Sequence, residues 1–168
     1  MTDSDRERRT LRCVLAWEAR WIPPETAATA VVVFIGANEG FPFGKVRCCG
    51  PDWAAAYASR VRRMIYTYRQ NGAARVYWVT LPASRAANRQ GVARVVDAAI
   101  PVAAEPWRRQ VRVIDSVPIF TPHGYRAAMP VNGADTIVRA SDGIHLNETG
   151  ANLLAGVVLD RIRQDFVY

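Results

Sequence analysis

The sequence contains almost no lysine, only two histidines and no long hydrophobic run. Lys45 is the single lysine among 22 basic residues, which stand against 15 acidic residues and leave a net charge of +7. An arginine bias this complete, with abundant alanine, valine and glycine, is typical of GC-rich coding and not of a nucleic-acid surface. No apolar stretch reaches the roughly 18 residues of a transmembrane helix. We therefore predict no nucleic-acid partner and no membrane span.

Signals for export, for a disulfide framework and for zinc are missing as well. Residues 1–12 are polar and basic, and no apolar stretch of the signal-peptide type follows them. The chain as written is thus predicted to be cytoplasmic, whereas a longer N-terminus would allow export. Cys48 and Cys49 are adjacent, and adjacent cysteines rarely bond each other because the bridge strains the peptide between them. Since Cys-x-x-Cys spacing is also absent, we expect free thiols and no metal.

What is present suits one compact domain. Half of the 168 residues are hydrophobic, which is enough for a core of its own. Residues 1–25, which contain a cluster of arginines, are predicted to be a basic segment that is partly helical or frayed. Residues 26–168 are predicted to be the folded domain.

Three apolar runs predict β-strands. Residues 29–35 form a continuous run rich in β-branched residues, which is typical of a strand buried on both faces of a parallel sheet. Residues 75–81 and 111–114 form the next two strands, and Arg112 places the last one nearer to the sheet edge. Residues 116–141 are predicted to be a long irregular segment, a kind of loop that is often functional.

Three helices are predicted to accompany these strands. The first opens at Pro51, and the second is expected to kink or end near Ile100 because Pro101 follows. The third spans residues 148–164 and is capped by Asn147 or Thr149. Their inward faces are formed by apolar residues at helical spacing: Trp53, Tyr57, Val61, Met64 and Tyr68; then Val92, Val95, Val96, Ala99, Ile100 and Ala103; then Ala151, Leu154, Val158 and Ile162.

The resulting order, β-α-β-α-β-loop-α, implies a parallel sheet with helices on both faces. Ligands of such sheets bind at the carboxyl ends of the strands. In this chain that edge is formed by residues 36–40, residues 82–85 and the segment after residue 116.

Asp142 and His145 are three residues apart in a predicted turn before the last helix. This spacing can bring a carboxylate beside an imidazole. The carboxylate then fixes the tautomer, so that the other ring nitrogen can take a proton from a nucleophile. The alternative is that Asp142 only makes the turn and that His145 merely lies nearby.

Asn38 directly follows the first predicted strand and therefore lies at the carboxyl edge. Its side chain can donate a hydrogen bond to a developing oxyanion, a contact worth roughly 3 kcal/mol. The alternative is that Asn38 simply makes the turn, since asparagine tolerates left-handed backbone.

Taken together, these features resemble the SGNH (GDSL-like) serine hydrolase superfamily. The matching residues are Gly36-x-Asn38 after a buried strand and Asp142-x-x-His145 before a final helix. The resemblance covers about residues 26–165 and implies a three-layer α/β/α, flavodoxin-like fold with a parallel sheet. It implies that His145 is the general base of a Ser-His-Asp triad, Asp142 its orienting partner, and Asn38 with Gly36 the oxyanion site. It further implies an ester substrate, either a small molecule or an acyl or acetyl ester of a lipid or glycan, and no cofactor.

The sequence departs from the superfamily pattern in two places. Glu39 stands where the superfamily usually has an aspartate, which mainly shapes the loop. More seriously, the Gly-Asp-Ser block that carries the nucleophile is not found, because Ser4 is the only serine before Gly36 and its neighbours are charged. Ser84 and Ser116 follow strands at the carboxyl edge, but they lack the strand-turn-helix setting that presents a nucleophile. The other candidates are Ser59 in mid-helix, Ser141 beside Asp142, and Cys48 and Cys49.

The nucleophile is therefore unknown, and the chain is predicted to be inactive or impaired. We expect the first β-α-β portion of the fold to be missing, through truncation or a misplaced start, and a Gly-Asp-Ser motif to be encoded upstream. An absent first strand would expose the edge of the 29–35 strand, and exposed edges pair with other chains. Self-association is one expected result, and packing of residues 11–21 over the gap is another.

Three other functions stay open at this point. A non-catalytic descendant of the same fold would bind acyl or glycan ligands at the same edge. A flavodoxin-like phosphate or nucleotide site would need a glycine-rich loop at a helix N-terminus, but residues 36–40 contain an anionic glutamate and no helix follows directly. Nucleic-acid binding through the arginines would show a steep dependence of affinity on salt.

Overall fold

The computed structural model of the protein describes residues 29–166. The basic segment 1–25, and with it residues 11–21, lies outside the described residues. The described elements are, in chain order, β1 (Ala30–Val33), α1 (Pro51–Tyr68), β2 (Arg75–Val79), α2 (Ala87–Ala104), β3 (Val111–Ile114), α3 (Val117–Phe120), β4 (Ala128–Val131), β5 (Ala134–Ile137) and α4 (Glu148–Asp165).

The main sheet is parallel and has the order β1-β2-β3. Val33 pairs with Trp78 on β2, and Trp78 pairs with Val113 on β3, so the three strands end at one common edge. The three predicted strands are therefore confirmed. The prediction from Arg112 is confirmed too, since β3 is a terminal strand of this sheet.

The two faces of β2 carry the two halves of the core. Val76 and Trp78 point into a cluster formed with α1 and α2, whereas Tyr77 and Val79 point into a cluster that includes Leu154 of α4. All four β2 side chains are fully buried. Each such burial stabilises the fold by about 1.5–3 kcal/mol. Helices therefore cover both faces of a parallel sheet, and the predicted α/β fold class is confirmed.

Helix α1 begins at Pro51, whose missing N–H costs nothing in a first helical turn. Its buried face contains Trp53 and Tyr57, whose rings stack at 5.2 Å between centroids. Phe43, from the preceding loop, stacks on the other side of Trp53 at 5.1 Å. The indole N–H of Trp53 also donates to the carbonyl of Phe41 at 2.8 Å. These contacts fix the loop that leads from β1 into α1.

We predicted a kink or an end of helix α2 near Ile100; the helix continues through Pro101 to Ala104, so it does not end there. Pro101 lacks the N–H that would bond the carbonyl of Asp97. The last turn forms nevertheless, because Ile100, Ala103 and Ala104 are buried against the core. Burial of this turn outweighs the one lost hydrogen bond.

Residues 116–141 are more regular than predicted. They contain the short helix α3 and an antiparallel hairpin in which Ala128 pairs with Ile137. Asn132 and Gly133 form its tip, with φ values of 51° and 83°. Positive φ at both central residues is the reason why Asn-Gly favours two-residue hairpin turns. This dipeptide was the sequence signal for the hairpin.

Two smaller expectations also differ from the structure. The predicted inward residue Ala151 is exposed on α4, because the buried face of that helix is formed by Leu154 and Val158. The strand at 29–35 is not buried on both faces within the described residues, since Val32 is 37% exposed and Phe34 40% exposed. Their exposure follows from the terminal position of β1 in the three-stranded sheet.

We expect the protein to self-associate through β1, and we expect Val32→Lys to reduce that association. Within residues 29–166 no strand pairs with the outer edge of β1. A lysine on an edge strand opposes pairing with a second chain, because its charge would have to be buried. Val157→Lys is the matched control, since Val157 is 36% exposed but lies on helix α4. Light scattering on sized fractions measures the effect, and a wild-type protein that is monomeric at high concentration would contradict the expectation.

Candidate active site

Asp142 and His145 are in direct contact. The Nδ1 atom of His145 lies 2.6 Å from Oδ2 of Asp142. The other carboxylate oxygen, Oδ1, accepts the backbone N–H groups of Ile144 at 2.8 Å and of His145 at 3.0 Å. Asp142 thus makes the turn and also contacts the imidazole, so it does more than make the turn.

These hydrogen bonds fix the charge of Asp142. The hydrogen bond to His145 lowers the pKa of the Asp142 carboxyl well below its usual range, and the backbone N–H groups of Ile144 and His145 lower it further. The carboxyl is therefore ionised and can only accept hydrogen bonds. Neutral His145 must then carry its proton on Nδ1, which leaves Nε2 free to accept a proton.

The loop that carries this pair is held by Arg85 and Arg139. The backbone N–H of Arg85 donates to the carbonyl of Gly143 at 2.9 Å, and its guanidinium donates to the carbonyl of Ser141 at 2.9 Å. The guanidinium of Arg139, a buried residue, donates to the carbonyl of Ile144 at 2.8 Å. Gly143 has a φ of +69°, and a Cβ there would lie 2.7 Å from Cβ of Arg85. A glycine is therefore required between Asp142 and His145.

Residues 138–140 and residues 145–147 flank the Asp142–His145 turn and also bond each other. We call residues 138–147 the histidine loop. The N–H of Ala140 donates to the carbonyl of His145 at 2.9 Å, and the N–H of Asn147 donates to the carbonyl of Val138 at 3.1 Å. The side chain of Asn147 then accepts the N–H of Gly150 at 2.9 Å. Asn147, one of the two predicted caps, is thus the N-cap of α4. Helix α4 starts directly from the histidine loop.

Gly36 and Asn38 lie in the turn after β1. Gly36 has a φ of +122°, and a Cβ there would lie 2.9 Å from Val96 and 3.3 Å from the hydroxyl of Tyr57. The N–H of Glu39 closes the turn on the carbonyl of Gly36 at 3.0 Å. The side chain of Asn38 is exposed and, within residues 29–166, makes no hydrogen bond. It is therefore available to a ligand.

One cleft of about 540 Å³ brings the two motifs together. Gly36, Asn38 and His145 all line it, while Asp142 lies behind the imidazole and contacts it through Nδ1. The walls of the cleft are mostly apolar. The other residues that line it are Phe34, Ile35, Ala37, Glu39, Tyr57, Arg60, Val61, Met64, Leu81, Pro82, Ser84, Arg89, Ala93, Ile144 and Leu146. A cleft of this size and character is typical of a small-molecule site.

The serines considered as nucleophiles occupy different positions. Ser84 lines the cleft, but its hydroxyl donates to the carbonyl of Ala86 at 3.2 Å. Ser116 is fully buried and its hydroxyl donates to the carbonyl of Thr80 at 2.7 Å. Ser59 donates within α1 to the carbonyl of Ala55. Among the described residues, none of these hydroxyls is bonded to His145.

Asp97 is a second unusual carboxyl near the carboxyl edge of the sheet. Its Oδ1 accepts the N–H of Leu81 at 2.8 Å. Burial raises the pKa of Asp97 to about 7, with a smaller rise from the charge of Asp115, while the Leu81 N–H acts in the opposite direction. The folded protein therefore holds this proton more tightly than the unfolded chain does.

The raised pKa of Asp97 predicts that the free energy of unfolding falls as the pH rises from about 4 to about 7. In that range the folded state binds more protons than the unfolded state, so raising the pH favours unfolding. Asp97→Asn keeps the acceptor for Leu81 and removes the charge, so we expect it to stabilise the protein at pH 8 by about 2 kcal/mol. Urea unfolding at pH 5 and pH 8 measures this, with the exposed Asp135→Asn as control. Equal effects of the two variants at pH 8 would refute the prediction.

Two further observations concern metal ligands and membrane-spanning helices. Residues 29–166 contain no group of three or more histidine, cysteine, aspartate or glutamate side chains arranged to hold a metal ion. Within the same residues, no helix combines the length and apolar character needed to cross a bilayer.

Comparisons with known proteins agree with the fold. The structure resembles a lipase/acylhydrolase from Enterococcus faecalis with a TM-score of 0.53 and 21% identity, over 82% of this chain and 62% of that one. It also resembles a carbohydrate esterase, described as having divergent catalytic and non-catalytic binding functions, with a TM-score of 0.53 and 13% identity, over 86% of this chain and 38% of that one. This chain thus spans about two fifths to three fifths of their lengths. At such identities the likeness is one of fold alone.

Sequence comparisons give the family. No curated protein matches the chain. The sequence model of a family described as "Protein of unknown function (DUF459)" matches residues 17–161, which include the strand before Gly36 and the whole histidine loop. A match over most of the chain decides membership, and the protein therefore belongs to the DUF459 family.

Proposed function

We propose that this chain carries the base and oxyanion part of an SGNH-type active site that hydrolyses carboxylic esters. The observation that carries the proposal is the 2.6 Å contact between Asp142 and His145 beside a cleft that Gly36 and Asn38 also line. The fold likeness to a lipase/acylhydrolase and a carbohydrate esterase supports the same chemistry. Acyl or acetyl esters are the proposed substrate class, and no cofactor is required.

The chemistry follows from the orientation of the imidazole. With Nδ1 donating to Asp142, Nε2 of His145 takes the proton from the attacking oxygen and later returns it to the leaving alcohol. The side chain of Asn38 and the N–H of Gly36 donate to the oxyanion that forms on the ester carbonyl. A nucleophilic hydroxyl must approach Nε2 from the cleft, and its residue is unknown.

The test is turnover of short-chain aryl esters by this chain and by two variants, His145→Ala and His123→Ala. Because the chain is predicted to be inactive or impaired, we expect slow turnover at most, and we expect His145→Ala to lower the remaining kcat/KM by at least about a thousandfold, since it removes the base. His123, the other histidine, is exposed and does not line the cleft, so its replacement should change nothing. Measurable and equal activity of the two variants would refute the role of His145, whereas no turnover by the unmutated chain would show that this chain lacks the nucleophile.

A non-catalytic site that binds acyl or glycan ligands is the second candidate function. The observation in its favour is that the Ser84 hydroxyl, which lies in the cleft, is bonded to Ala86 and not to His145. Saturable binding of an ester without turnover, weakened by Asn38→Ala, would support this function over hydrolysis.

A further inference from the structure

Two arginines enter the cleft from different helices. Arg60 comes from α1, and Arg89 comes from the first turn of α2. Within residues 29–166 neither forms an ion pair, whereas four other arginines do. A guanidinium that faces a cleft without a carboxylate partner is suited to bind an anionic group of a ligand.

Both guanidiniums are held in place by uncharged groups. The guanidinium of Arg60 lies over the ring of Phe43, with its central carbon 4.0 Å from the ring centroid. Phe43 is itself fixed by stacking on Trp53. Arg89 donates from Nη1 to the backbone carbonyl of Glu39 at 3.2 Å. Since the side chains are ordered before a ligand arrives, less conformational entropy is lost on binding.

The remaining charges in the cleft leave it positive. Glu39 is the one carboxylate among the described lining residues. Burial raises the pKa of its carboxyl, while the charge of Arg60 lowers it. Even an ionised Glu39 leaves two guanidiniums against one carboxylate. Most of the other walls are apolar, including Phe34, Met64 and Ile144. An anion that enters this cleft therefore meets two guanidiniums, the exposed Arg60 and the half-buried Arg89, and it can form charge-assisted hydrogen bonds with both.

The position of Arg89 relates this charge to the proposed chemistry. Arg89 bonds the carbonyl of Glu39, the residue next to Asn38. An anionic group on Arg89 would thus be bound within one residue of the proposed oxyanion donor. A short substrate can reach both, whereas a neutral acetyl group has nothing to offer the guanidiniums.

We propose that the cleft binds esters whose acyl part carries a second, anionic oxygen group, a carboxylate or a phosphate, and that Arg60 and Arg89 bind that group. That the ligand is an ester rests on the proposed function, whereas its anionic group is inferred from the two arginines alone. The apolar walls contact the carbon chain between the two ends.

The test measures binding in a background that cannot turn over. In the His145→Ala protein, monomethyl glutarate should bind at least tenfold more tightly than the neutral dimethyl ester, by isothermal titration calorimetry. Arg60→Gln and Arg89→Gln should each remove most of that difference. Arg63→Gln on α1 and Arg94→Gln on α2 are the matched controls, because both residues are exposed and do not line the cleft. Displacement by glutarate or by inorganic phosphate then decides which anion is preferred.

The outcomes separate the two proposals. Equal affinity for the two methyl esters, or binding that is unchanged in both Arg60→Gln and Arg89→Gln with melting temperatures retained, would overturn the anionic site. Selective binding of the monoester combined with no His145-dependent turnover would retain the anionic site and reject the hydrolase. Turnover of neutral aryl esters without selective binding of the monoester would retain the hydrolase and reject the anionic site.

Discussion

Asp142→Asn is expected to lower whatever esterase turnover this chain retains by about three to four orders of magnitude while the protein stays folded. The asparagine Oδ1 can still accept the N–H groups of Ile144 and His145, so the turn survives. Its amide N–H₂, however, replaces Oδ2 opposite Nδ1 of His145. A donor there forces the proton of the imidazole onto Nε2, and the base is lost.

This prediction has a readout that does not depend on turnover. Nitrogen-15 NMR of the histidine side chains distinguishes the two tautomers, and we expect a proton on Nδ1 of His145 in the wild type and on Nε2 in Asp142→Asn. Asp135→Asn is the control, because Asp135 is exposed in the hairpin strand β5. An unchanged His145 tautomer in Asp142→Asn would show that the carboxylate does not orient the ring.

Gly150→Ala is expected to lower the free energy of unfolding by about 3 kcal/mol. A Cβ at this position would overlap the carbonyl oxygen of Val138, and it would also lie 3.2 Å from Cβ of Leu146. Neither neighbour can move freely, since the same carbonyl accepts the N–H of Asn147. Helix α4 would have to shift away, and the Asn147 cap would be lost with it.

Gly156→Ala provides the matched comparison in the same helix. No atom lies within 4 Å of a Cβ added there, so alanine should stabilise the helix by about 0.5–1 kcal/mol. Urea unfolding of the two variants therefore gives shifts of opposite sign. Equal stability of Gly150→Ala and Gly156→Ala would contradict the close packing of α4 against Val138.

The sheet and the main helices could be predicted because burial dictates their sequences. Residues 76–79 of β2 are all apolar or aromatic because both faces of that strand are covered. Pro51 and Asn147 are residue types that favour the start of a helix, and each marks one. The end of α2 was predicted wrongly because the hydrogen bond lost at Pro101 is visible in the local sequence. The burial that outweighs this loss involves side chains distant in sequence. The hairpin was missed because its strands are short and partly exposed, so only the Asn132-Gly133 tip indicated it.

In the candidate site, the local contacts could be predicted from the sequence, whereas the contacts between distant segments could not. The Asp142–His145 contact depends on residues three apart, and a turn with Gly143 is enough to close it. Arg60 and Arg89 could not be identified, because the chain is rich in arginine and nothing local distinguishes these two. Only the packing of α1 and α2 against the turn after β1 places their guanidiniums in the same cleft.

The paired limbs of the histidine loop have a consequence for how this region can change during evolution. Because residues 138–140 bond residues 145–147, the geometry of Asp142 and His145 is closed locally. The hairpin that precedes it ends at an exposed Asn132-Gly133 tip. Insertions or deletions at that tip can therefore alter the length and shape of the surrounding surface without changing the spacing of the pair. The pair can therefore keep its spacing, and its loop can keep the contacts with Arg85, while the surface around the hairpin diverges.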